Sequence, residues 1–76
     1  MTTQQKMIEG LRKELPAMFT RKVASQKTGG YLAPGTLANM DSRGEGPGGV
    51  LMGKIICYER ESFLAWLEKR MEAQNG

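Results

Sequence analysis

Phe19-Thr20-Arg21-Lys22-Val23-Ala24-Ser25-Gln26-Lys27-Thr28-Gly29-Gly30-Tyr31-Leu32-Ala33-Pro34-Gly35-Thr36-Leu37-Ala38-Asn39-Met40-Asp41 is the stretch that decides the fold. Phe19 and Thr20 have the chemistry of a staple residue and an N-cap, opening a short helix over Arg21–Thr28. That helix is poor in apolar residues, with Val23 and Ala24 as its inward candidates. Gly29-Gly30 stops it, because glycine takes positive φ without a Cβ penalty. Pro34 is a natural first helical residue, so a second short helix is expected over Pro34–Asp41, with Leu37 and Met40 facing inward. Two short helices joined by a tight glycine turn make the minimal helix-turn-helix shape, whose second helix can enter a major groove.

Working outward, Thr3 can cap a first helix running to Leu15, with Met7, Ile8, Leu11 and Leu15 at helical spacing. Gly10 weakens that helix and Pro16 ends it. Downstream, Ser42–Gly49 carries four glycines and Pro47, which marks a flexible loop. Val50-Leu51-Met52 and Ile55-Ile56-Cys57-Tyr58, joined through Gly53-Lys54, read as a β-hairpin. Glu59–Met71 is the strongest helix, with Phe63, Leu64, Trp66, Leu67 and Met71 in a broad apolar stripe. Trp66 and Tyr58 are expected in the core, packed on each other. The expected fold is mainly α with a small β-hairpin, a winged helix-turn-helix over residues 16–72. Residues 1–15 form an N-terminal helical extension and residues 73–76 a frayed tail.

Composition narrows the function. The chain has 76 residues, enough for one small domain, with a net charge of +3 and a pI near 9.3. The basic surplus lies in residues 1–54, which leans the protein mildly towards acidic partners. Histidine is absent, and Cys57 is the single cysteine. The commonest general base, the commonest metal ligand and any intramolecular disulfide are therefore all missing. With no paired carboxylates near a nucleophile either, the chain is not expected to be an enzyme, nor to hold a metal, a cofactor or a small-molecule substrate. The glycines of Gly44–Gly49 lack the Lys-Ser/Thr ending and following helix of a phosphate cradle. No signal peptide opens the chain and no run is apolar enough to span a bilayer, so a cytoplasmic protein without membrane contact is expected.

Several segments together resemble one family. Leu15 to Lys22, Ser25 to Gly30, Pro34-Gly35-Thr36-Leu37-Ala38-Asn39-Met40-Asp41-Ser42, Gly46-Pro47, Met52-Gly53-Lys54 and Tyr58 through Ala65-Trp66-Leu67 look like the small prophage-borne regulators of the excisionase and AlpA type, which carry a MerR-like winged helix-turn-helix. The resemblance covers about residues 15–70. It implies a protein that binds double-stranded DNA near attachment sites or promoters of mobile elements, assisting recombination or controlling transcription. A lone domain of this size neutralises few phosphates, so useful affinity is expected to need neighbouring copies on DNA, bending, or a partner such as an integrase. Three departures stand out: Lys27 where relatives usually have leucine, a second helix without Lys or Arg before Arg43, and an apolar wing.

On this reading Arg21 and Lys22 face phosphates or else are solvated surface, and Thr20, Ser25 and Gln26 can donate to phosphate oxygens. Thr36 and Asn39, three apart on one helical face, are the candidates for base edges, since asparagine pairs bidentately with adenine and a threonine methyl meets a thymine methyl. Gly35 allows close approach to the duplex backbone; the alternative is that Asn39 only caps or breaks the helix and Gly35 is part of a turn. Arg43 would reach a flanking phosphate, and Lys54 at the hairpin tip a phosphate or a minor groove. The rival reading is a protein-interaction module that kept the fold without strong readout. The hairpin bears on it. A two-residue turn would set Ile55 and Cys57 beside Val50 and Met52, whereas a three-residue turn, as the family suggests, sets Ile56 and Tyr58 there. The three-residue turn is preferred, leaving Leu51, Ile55 and Cys57 as an exposed apolar strip for a partner. Met1, Met7 and Met18 can soften such a partner surface.

Overall fold

A computed structural model describes residues 2–75 of the chain; Met1 and the terminal Gly76 of the expected tail lie outside the described residues. The elements run α1 (Thr3–Glu14), β1 (Met18–Thr20), α2 (Arg21–Lys27), α3 (Pro34–Ser42), β2 (Val50–Met52), β3 (Ile55–Glu59) and α4 (Arg60–Asn75). The three strands form one antiparallel sheet in the order β1-β3-β2. The protein is thus mainly helical with a small sheet.

Local chemistry explains the element ends. The cap of α1 is Thr2, one residue earlier than expected. Its hydroxyl accepts from the Gln5 backbone N–H at 3.1 Å while the Gln5 side chain accepts from the Thr2 N–H at 2.9 Å. Thr3 has no such option, because the residue three further on is Lys6, which carries no acceptor. Thr20 caps α2 as expected, accepting from the Val23 N–H at 3.4 Å. Gly29 and Gly30, at φ 67° and 85°, then carry the chain into the connection to α3. The start of α4 is held by Glu59, whose two carboxylate oxygens accept from the backbone N–H groups of Glu61 and Ser62 at 2.8 and 3.0 Å. These bonds hold the Glu59 carboxyl below its ordinary pKa. That helix continues through Asn75, beyond the expected end at Met71.

Strand β1 has no counterpart in the sequence reading. Three residues are too few to show an alternation, and Phe19 reads equally well as a staple. In the fold it pairs with β3, Phe19 opposite Tyr58 and Thr20 opposite Cys57. Opposed residues share a face, so Phe19 and Tyr58 both turn into the core, where they are 3% and 1% exposed. Phe63 from α4 meets Phe19 edge-on at 5.1 Å between ring centroids and Tyr58 at 5.9 Å. Around these rings pack Ile8 and Leu15 from the first helical segment, Ala24, Leu32, Leu37, Met40, Leu64 and Leu67. Through Ile8 and Leu15, α1 and the residue that caps it contribute directly to this core. Trp66 is not the partner of Tyr58. It lies half-buried against Phe63, at 5.8 Å, and its indole N–H donates to the Glu45 carbonyl at 2.9 Å.

The hairpin register corrects the preferred turn. Val50 lies opposite Cys57, Leu51 opposite Ile56 and Met52 opposite Ile55, so the turn is the two residues Gly53-Lys54. Gly53 stands at φ 67°, the sign a type II′ hairpin turn needs at its first central residue. Ile55 and Cys57 do face away from the core, as expected, yet their companions on that face are Val50 and Met52 rather than Leu51. Leu51 is on the Ile56 side and is exposed there.

The loop over residues 43–49 is closely fitted, contrary to the expectation of flexibility. A Cβ on Gly49 would lie 2.3 Å from Ile56 Cγ2 and 3.0 Å from Tyr58 Cε1, whereas one on Gly10, in the middle of α1, meets open space. Gly49→Ala should therefore cost about 1–3 kcal/mol through overpacking, and Gly10→Ala should gain about 0.5–1 kcal/mol by helix propensity. Thermal unfolding followed by circular dichroism reads both, with Tm moving down in the first and up in the second. Equal shifts would contradict the packing described.

Candidate nucleic-acid interface

Helices α2 and α3 are locked at their far ends by one carboxylate. Asp41, in the last turn of α3, accepts from Arg21 Nη2 at 2.9 Å and from the Tyr58 hydroxyl at 2.6 Å, both on Oδ2. Arg21 Nε also donates to the Tyr58 oxygen at 2.9 Å, closing a triangle among α2, α3 and β3. The ion pair is largely shielded from water, its side chains 24% and 16% exposed. Burial pushes the Asp41 carboxyl up, but hydrogen bonds from Tyr58, Arg21 and the Gly48 backbone outweigh it, and the net shift is below the ordinary value. Tyr58 is pushed up to about 12, first by burial and then by its bond to the carboxylate.

This cluster corrects the expected role of Arg21. Its side chain turns inward as a brace, with Nε and Nη2 both engaged, instead of facing outward towards phosphates. Nothing in the sequence pairs Arg21 with Asp41 and Tyr58. A basic residue at the start of a helix, where charge opposes the helix dipole, was the available signal, and it pointed equally well to an outside anion.

The remaining candidates are disposed as follows. Lys22, next to the brace, is exposed and takes part in no ion pair among the described residues. Thr20 spends its oxygen on the α2 cap, which leaves its O–H proton available to donate. On α3 the inward face is Leu37 and Met40, 0% and 3% exposed, while Gly35, Thr36 and Asn39 are exposed on the other side. A Cβ at Gly35 would meet nothing within 4 Å. Ala33 offers α3 no side-chain cap, so the helix begins with its backbone donors free of a protein side chain. Arg43 is held by Glu45 at 2.7 Å, both 62% exposed, a surface pair of little energetic weight. Lys54 is exposed at the hairpin turn.

The outward face of the sheet is mostly apolar, with Thr20 and Glu59 as its polar members. Besides Cys57, half-buried between Thr20 and Val50, it presents Met18, Val50, Met52 and Ile55, each 48–60% exposed. Met18 belongs to this face because β1 joins the sheet, which no local pattern in the sequence signals. Among the described residues no cluster of three or more His, Cys, Asp or Glu side chains could hold a metal ion, and no helix is long and apolar enough to cross a membrane.

The brace gives stability a defined pH dependence. Tyr58 has a raised folded pKa, so its contribution is complete below the ordinary tyrosine value of 10.0 and is lost as pH rises towards about 12. Asp41 has a depressed folded pKa, so its contribution is complete above the ordinary value of 3.8 and is lost as pH falls through the lower folded value. In urea unfolding across both ranges, Tyr58→Phe should flatten the alkaline limb and Asp41→Asn the acid limb. Limbs parallel to those of the unchanged protein would show that neither group is perturbed.

Comparison with known proteins places no relative beside this arrangement: no protein-family model, no curated protein and no solved structure matches the chain.

Proposed function

We propose that the protein is a winged helix-turn-helix DNA-binding module, with α3 as the major-groove helix and the β2–β3 hairpin as the wing. The observation that carries this reading is the division of α3. One face is closed into the core, and the other holds an uncommitted Thr36 and Asn39 beside a helix start free of side-chain caps. Free backbone donors at a helix start favour a phosphate, and Asn39 has the donor and acceptor pair that matches adenine. Lys22 and Lys54 supply unpaired positive charge for the flanking backbone. Arg21 acts indirectly, fixing α3 against α2 and β3. The resemblance to excisionase and AlpA-type regulators agrees with this assignment and suggests a place in a mobile element, as a transcription regulator or an accessory factor for an integrase in the cytoplasm.

A second reading is favoured by the sheet face of Met18, Val50, Met52, Ile55 and Cys57. Patches of exposed apolar side chains mark protein partners, so the same fold can serve as a self-association or integrase-binding module.

Fluorescence anisotropy with mixed-sequence duplexes at two salt concentrations decides between them. A DNA-binding module loses affinity steeply as salt rises, and Lys22→Ala should weaken all duplexes alike while reducing the salt slope by about one unit. Against a selected target site, Asn39→Ala should remove about 1–3 kcal/mol of discrimination and leave non-specific binding nearly intact. No binding at low salt would sink the DNA assignment and leave the sheet face as the functional surface.

A further inference from the structure

A cleft of about 570 Å³ runs between α1, α4 and the α2–α3 connection. Its volume and apolar lining are those of a site for a small organic molecule, which typically occupies roughly 300–1,000 Å³ among apolar side chains with a few polar groups. Met7, Leu11, Leu67 and Met71 supply apolar surface, two of them methionines, whose flexible thioethers adapt to irregular shapes.

Three features of the lining indicate what it accepts. Charged side chains in the lining are Glu14, Lys27 and Arg70. Lys27 Nζ lies 3.7 Å from Glu14 Oε1, so those two offset each other. Arg70 has no acidic partner among the described residues and leaves the cleft with one uncompensated positive charge. Its guanidinium is over the Trp66 ring, 5.7 Å from the centroid, and, with Gln74, holds the neighbouring Tyr31 phenol below its ordinary pKa. Its Nε is shielded from water and finds no acceptor. A shielded donor without a partner is uncommon in a folded protein and leaves the bonding of Arg70 incomplete, the rest of its guanidinium lining the cleft. Gly10 also lines the cleft, at mid-helix, where glycine is disfavoured and a side chain would meet no steric obstacle. The protein's packing does not require this glycine. An open cleft does.

We propose that this cleft binds an amphipathic organic anion, its aliphatic body lying along Met7, Leu11, Leu67 and Met71 and its carboxylate at Arg70. The inference does not depend on DNA binding.

The test uses dodecanoate as probe, kept below its micelle concentration, with dodecanol as the uncharged control. Trp66 is the only tryptophan in the chain and lies under Arg70, so its emission reports on the site. Dodecanoate should shift that emission with saturation at one molecule per chain by calorimetry, and bind at least tenfold more tightly than dodecanol. Gly10→Leu, which fills the cleft from α1, should weaken dodecanoate at least tenfold while circular dichroism stays unchanged. Arg70→Gln should abolish the preference for acid over alcohol. Non-saturating binding, equal affinity for dodecanol, or undiminished binding to a folded Gly10→Leu variant would each overturn the proposal.

Discussion

The Asp41 carboxylate is the point on which the rest of the arrangement depends. It lies in the last turn of α3, takes a guanidinium from the first residue of α2 and a phenol from the middle of the sheet, and is approached closely by the loop that follows. None of the groups in this polar cluster is stable alone in a half-dry setting. A shielded carboxylate needs donors, a shielded guanidinium needs an acceptor, and a phenol at 1% exposure needs a partner for its hydroxyl. Each satisfies the others, so removing one member takes a bonding partner from both of the remaining two. The apolar core gathers the elements, but apolar contact is non-directional. Directional bonds at Asp41 fix how α3 is set against α2 and β3.

The same cluster explains the loop over residues 43–49. Gly46 passes so close to the Asp41 carboxylate that a Cβ there would overlap it, and Gly49 passes as closely over Ile56 and Tyr58. Two of the four glycines that look like a flexible linker, Gly46 and Gly49, are therefore there for contact, while Gly44 and Gly48 supply positive φ. Trp66, by donating to the Glu45 carbonyl, ties the loop to α4 and completes its attachment on the other side. The consequence for function is a short α3 held at its C-terminal end, with its start and its Thr36–Asn39 face left to solvent.

Much of this was legible in the sequence, and the boundary is instructive. Thr20 as a cap, Gly29-Gly30 as a stop and Pro34 as a helix start are local signals, settled by backbone chemistry within a few residues. Leu37 and Met40 followed from helical spacing. Tertiary facts were not legible. Strand β1 is too short to carry a pattern and exists because β3 is beside it. The two-residue turn and the three-residue turn are both compatible with Met52-Gly53-Lys54-Ile55, and pairing of Val50 with Cys57 decides between them. Arg21 reads as surface charge until the positions of Asp41 and Tyr58 are known, 20 and 37 residues further along the chain. The cleft at Gly10 is likewise invisible, since it needs α1 and α4 side by side.

The most direct measurement of the central claim is a double-mutant cycle between Arg21 and Asp41. Arg21→Gln, Asp41→Asn and the combined variant would be compared with the unchanged protein by urea unfolding at neutral pH. If Asp41 and Arg21 form one shielded unit, each single change should cost about 1.5–3 kcal/mol, and the pair should fall short of the sum by about 1 kcal/mol or more. Losses that add within about 0.3–0.5 kcal/mol would show that the two side chains act independently. Arg21 would then be free to face an outside anion, and the brace would not be what sets α3 against α2 and β3.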